Sequence, residues 1–136
     1  IIMATGSEVQ IAVAAREALR AEGIGARVVS MPSLDWFAAQ DADYIEAVLP
    51  AAVTARVSVE AGVAQPWWRW LGSHGRAISL EHFGASADFA TLFREFGITP
   101  EATVAAAKQT AVTATNPAAS LVNRLFILFS LCCLFG

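Results

Sequence analysis

Ile1-Ile2-Met3-Ala4-Thr5-Gly6-Ser7-Glu8-Val9-Gln10 is the stretch whose reading decides the fold. Its first four residues are apolar, a short run that reads as a buried strand. Thr5 and Gly6 turn the chain. Ser7-Glu8-Val9-Gln10 then has the spacing of a capping box, in which Ser7 accepts from the amide three residues on and Gln10 reaches back. Strong helix formers continue to Glu22, and Gly23 stands where a helix end favours a left-handed residue. A strand that passes straight into a helix is the first half of a crossover unit.

The same alternation recurs down the chain. Residues 26–31 read as a second strand, broken by Pro32-Ser33-Leu34-Asp35, which open a short helix carrying Trp36 and Phe37. Residues 41–49 form another helix, stopped by Pro50. Residues 55–61 are a third strand ended by Gly62, and 66–71 hold Trp67, Trp68 and Trp70 in one or two helical turns. Residues 76–81 make a fourth strand. The loop His82-Phe83-Gly84-Ala85-Ser86 follows, with Ser86 as N-cap of a helix through Phe96. Thr99 caps the last helix, with Pro100 at its first position, and that helix runs to about Val112. Strands separated by helices require crossovers. The expected fold is therefore α/β: three αβα layers around a mostly parallel sheet of four to five strands.

Composition narrows the function. The 136 residues suit one domain. With 56% apolar and 15% charged residues, an intrinsically disordered chain is excluded. The formal charge of −3, from 9 basic and 12 acidic residues, offers no basic excess for nucleic acid. Cys132 and Cys133 are adjacent at the far end, so no disulfide framework holds the body. The opening run has neither an initiator Met nor a basic leader, which suggests a piece of a longer polypeptide. Composition shifts again near Thr115, dividing a domain over 1–114 from an apolar tail over 115–136. The run 125–135 is apolar apart from Ser130. A foreign addition, an extra core or partner-binding helix, and a membrane-inserted end are its three readings. A spanning helix needs roughly 20 residues, so membrane contact is not expected.

The catalytic inventory is short. His74 and His82 are the only imidazoles, and no HExxH, zinc-ligand spacing or EF-hand loop occurs. Thr5, Gly6 and Ser7 have the shape of an anion-binding turn before a helix, although Glu8 already satisfies the dipole there. With Phe83, Gly84 and Ser86 they form a candidate anion or ligand edge at the carboxyl ends of strands. No catalytic, cofactor-binding or metal-binding residue is assigned. Two of the three clustered tryptophans are expected in the core, the third at an interface. Glu81 and His82 are adjacent strand residues facing opposite ways, so a hydrogen-bonded structural His82 is expected rather than a proton relay.

Five segments occur in a telling order. They are Met3-Ala4-Thr5-Gly6-Ser7-Glu8-Val9, Val28-Val29-Ser30-Met31-Pro32-Ser33, Arg56-Val57-Ser58-Val59-Glu60-Ala61-Gly62, Phe83-Gly84-Ala85-Ser86-Ala87 and Leu92-Phe93-Arg94-Glu95-Phe96-Gly97-Ile98-Thr99. In register over about residues 1–112, they resemble the C-terminal domain of transketolase. Two positions depart from the family pattern. Asp88 stands where proline usually follows, in the first helical turn, and Trp68 stands where many members carry histidine.

The resemblance implies a three-layer domain, the third of a homodimeric cytoplasmic enzyme of the pentose phosphate pathway. That enzyme uses thiamine diphosphate and a divalent metal (Mg or Ca) to move a two-carbon ketol unit between sugar phosphates. Its cofactor ligands lie in the other two domains, and no GDG motif with a downstream asparagine occurs here. The expectation is thus a non-catalytic domain that binds no cofactor itself and whose partners are the other domains of the same polypeptide. A small-ligand or regulatory module is the alternative, as is the equivalent domain of deoxyxylulose phosphate synthase or the pyruvate dehydrogenase first component. Isolated, the chain is expected to self-associate through exposed aromatic surface.

Overall fold

The computed structural model describes residues 1–115. Four strands, β1 (Ile2–Ala4), β2 (Val28–Ser30), β3 (Val57–Val59) and β4 (Arg76–Ile78), form one sheet in the order β2-β1-β3-β4. Every pairing is parallel: Met3 stands opposite Val29 on one side and Ser58 on the other, and Ser58 opposite Ala77. Between the strands run α1 (Val9–Ala21), α2 (Leu34–Ala38), α3 (Ala42–Val48) and α4 (Trp68–Leu71). After them come α5 (Phe89–Glu95) and α6 (Pro100–Thr115). Short 3-10 turns at Gly6–Glu8 and Gln65–Trp67 lead into α1 and α4.

Side chains alternate across the sheet, and each face has its own core. Ile2, Ala4, Val57 and Val59 pack with Ile11, Ala12, Ala15 and Leu19 of α1 and Ala106 of α6. Met3, on the opposite face, joins Met31, Phe37, Leu49, Trp67, Trp70 and Leu71 from the α2–α4 side. Three αβα layers around a parallel sheet result, as the alternating pattern predicts.

Local chemistry sets the ends. Gly23 has φ +78°, and the Gly23 and Ile24 amides close the end of α1 on Arg20 and Leu19 carbonyls. Ser33 and Asp41 cap α2 and α3 by accepting from the Trp36 and Tyr44 amides. Thr99 accepts from the Ala102 amide at 3.2 Å, as its place before Pro100 requires. A β-carbon at Gly75 would lie 2.5 Å from the Leu71 carbonyl oxygen, so only glycine fits where α4 turns back to β4.

Two expected caps are corrected. Ser7 makes no capping bond, because it is the middle residue of the 3-10 turn that leads into α1, and its hydroxyl instead donates to the Glu8 carboxylate at 3.2 Å. Ser86 does not cap the helix after β4. That helix starts three residues later, and Asp88 is its N-cap, accepting from the Thr91 amide at 3.0 Å. Asp88 therefore sits at the cap itself, where its carboxylate reaches a free amide. The tail lies outside the described residues apart from Thr115, with which α6 ends.

Candidate functional site

In a parallel sheet of this order, the connection from β1 goes to β2 on one side while β3 lies on the other. The carboxyl ends of β1 and β3 are therefore the topological switch point, where open α/β sheets place ligands. Thr5, Gly6 and Ser7 stand at that point, directly after β1. Phe83, Gly84 and Ser86 follow β4, with β3 between the two groups. All six lie on the carboxyl side of the sheet, but as two separate loops. None of the six lines the cavities of roughly 280–420 Å³ that Arg56, Tyr44 and Phe93 respectively help to form.

Carboxylates dominate this edge. Glu8 is buried at the start of α1, with Ser7 donating to it. Glu60, the first residue past β3, accepts from the Trp67 indole Nε1. Glu81 accepts from the Ala64 amide at 2.8 Å. That bond, with a further one from Ser79, holds the Glu81 carboxyl below its ordinary value of 4.5. Sequence reading passed over Glu60 and weighed Glu81 only as a partner of His82, because a carboxylate that fastens a neighbouring loop leaves no motif. The only hint is their place just after two strands. His82 bonds the Phe83 carbonyl through Nδ1 at 2.8 Å and sets its ring edge-on to Phe96, the structural role expected of it. His74 is paired with Ser73 at the opposite edge. Trp67 and Trp70 are core residues, as two of the three indoles were expected to be, and Trp68 is half exposed.

Bonds from the Thr91 amide and hydroxyl lower the Asp88 carboxyl from its ordinary value of 3.8. A carboxyl lowered by folding stabilises the fold above its unfolded value, and the gain is lost as pH falls through the folded value. Asp88→Asn keeps a capping side chain but removes the charge. The variant is expected to melt below the parent at pH 7, with the gap unchanged to about pH 5 and closed in acid below the ordinary carboxylate range. Melting curves at pH 7, 5 and 2.5 check this; a gap that persists at the lowest pH contradicts it.

No three His, Cys, Asp or Glu side chains group as metal ligands among the described residues. The acidic switch point is also poorly suited to a diphosphate, which Glu8 and Glu60 would repel.

Comparison with known proteins gives the family. The family described as "Transketolase-like TK C-terminal domain" matches residues 1–99. Transketolase of Mycobacterium leprae is 58% identical over 109 residues, and that of Mycobacterium tuberculosis (strain H37Rv) 59%; each match covers 80% of this chain and 16% of the relative. Transketolase 1 of Escherichia coli K12 is 57% identical over the same length. Among solved structures, transketolase from Leishmania mexicana superposes with a TM-score of 0.73 at 45% identity, covering 81% of this chain and 16% of that one. A Pichia stipitis transketolase, described in complex with sedoheptulose 7-phosphate, gives 0.74 at 38%, with 82% and 16% covered. The chain thus spans about one sixth of the length of these relatives. It belongs to the transketolase-like C-terminal domain family.

Proposed function

We propose that this chain is the non-catalytic C-terminal part of a transketolase, an enzyme that moves a two-carbon ketol unit between sugar phosphates in the cytoplasm. The observation that carries the reading is 58–59% identity to transketolases over 109 residues. In the whole enzyme, thiamine diphosphate together with a divalent metal would supply an electron sink for carbon–carbon bond cleavage. The acidic switch point of this chain does not suit that group, since Glu8 and Glu60 would repel its diphosphate. They brace the enzyme instead. A rigid sheet with a core on each face gives the remaining polypeptide and its homodimer a firm wall. Among the described residues, no helix is long and apolar enough to cross a membrane.

Two measurements test this. Calorimetric titration of the chain with thiamine diphosphate and magnesium is expected to give no saturable heat; micromolar binding would overturn the proposal. Residues 1–115, put in place of the matching segment of the Mycobacterium tuberculosis transketolase, are expected to keep ketol transfer within tenfold of the parent. The position of Thr5, Gly6 and Ser7 at the switch point favours a second reading, a ligand edge that also draws on Phe83, Gly84 and Ser86. A ligand present at 100 times its Kd adds about 2.7 kcal/mol of stability, so a thermal-shift screen with sugar phosphates, nucleotides and simple anions separates the two.

A further inference from the structure

The connection after β4 turns its apolar groups outward. Residues 81–90 are all exposed, and within them Phe83 is 98% and Phe89 72% exposed. Val63, 51% exposed, lies in the loop after β3. The two loops are fastened side by side, because the Leu80 amide donates to the Gly62 carbonyl and the Ala64 amide to Glu81, each at 2.8 Å. Beyond that root the hydrogen bonds are local, His82 to the Phe83 carbonyl and the Asp88 cap on Thr91. The His82 and Phe89 rings stand edge-on to Phe96 and Phe93, which leaves Phe83 without a ring partner among the described residues. A phenyl ring standing free on a loop whose root is secured gains nothing from the fold of this chain. Glu81 and Asp88 flank the patch, and the nearby cation Arg94 is already paired with Glu95.

We infer that the exposed connection carrying Phe83 and Phe89, with Val63 on the loop tied to its root, is the seat of the remaining transketolase polypeptide, which meets it with an apolar socket rimmed by Lys or Arg. This rests on the function proposed above and names the surface through which the bracing acts. Two facts choose the occupant. The chain spans only 16% of its relatives, so most of such a polypeptide lies outside it. A second copy laid patch on patch would bring the Glu81 and Asp88 carboxylates of one chain near those of the other, and like charges so placed are repelled.

Hydrogen–deuterium exchange over residues 79–92 tests the inference, measured in the 136-residue chain and in the Mycobacterium tuberculosis graft. Exchange in the loop is expected to slow at least tenfold in the graft. Phe83→Asp is expected to abolish that slowing while leaving the melting temperature of the chain alone unchanged. An active graft whose loop exchanges as fast as in the lone chain overturns the inference and leaves the proposed function standing. An inactive graft whose parts do not associate overturns both. Protection already present in the lone chain, and lost on dilution or on removing residues 116–136, gives the seat to a second copy or to the tail and also overturns the inference.

Discussion

Replacing Trp67 by Ala is expected to destabilise the chain by about 4 kcal/mol, on the order of 12 °C in melting temperature. Trp67 is 1% exposed and the largest fully buried side chain among the described residues. It fills the centre of the core on the α2–α4 side, with Met3, Trp70 and Leu71 in the same cluster. Truncation to Ala removes most of the side chain where helices on one side and a sheet on the other prevent collapse, so the transfer loss and the cavity add. A second loss comes through Glu60, whose carboxylate accepts from the indole Nε1 and would be left without that donor. Trp67→Phe separates the two effects. It restores much of the volume but not the donor, and its cost should be less than half that of Ala. Urea unfolding of the three proteins measures this. Equal losses for Phe and Ala would mean that the bond, not the packing, carries the effect.

What could be read in advance follows from where the information sits. Strand and helix order was legible because each change of period is written locally: an apolar triplet, a cap, a glycine. Gly23 and Thr99 act where their residue types predict, and Ser33 and Asp41 add caps at the starts of helices read one residue or so differently. The two misplaced caps share a cause. Ser7 and Ser86 have the right chemistry, but Ser7 sits inside a 3-10 turn and a bend at Ser86 and Ala87 precedes the Asp88 cap, so each helix starts later. That delay depends on how the strand end meets the layer above it, which no local pattern records. The candidate edge was legible as to side and not as to grouping. Loops after parallel strands must share one side of the sheet, yet sequence alone does not give strand order, so β3 between the two loops was not foreseen. The roles of Glu60, Glu81 and Arg56 were not foreseen for a related reason: each acts on a segment brought near only by folding.

Arg56 gives the second large effect. It stands just before β3, and read as sequence it is one more surface charge. In the fold its guanidinium donates to four backbone carbonyls: Val53 at 2.8 Å, Trp70 at 2.8 Å, Leu49 at 3.1 Å and Pro50 at 2.9 Å. Leu49 and Pro50 follow the end of α3, and Trp70 lies in the last turn of α4. Helix ends leave carbonyls unsatisfied and partly negative, and one planar cation answers both at once. Burial lowers the Arg56 pKa while the Glu46 carboxylate opposes the shift, and the group stays charged at neutral pH. Arg56→Met, which keeps an apolar stem and removes all the donors, is expected to destabilise the chain by about 2–3 kcal/mol. That figure is the upper part of the range for one bond to a charged group rather than a sum over four, because water reaches part of the cluster. Arg56→Lys should recover less than half of the loss, since a compact ammonium cannot reproduce the fork that spans both helix ends. The control is Arg16→Met on the outer face of α1, where the side chain bonds only the neighbouring Glu17 and its loss should be within about 0.5 kcal/mol. If Arg56→Met unfolds no earlier in urea than Arg16→Met, water replaces the guanidinium at those carbonyls and the clamp holds nothing.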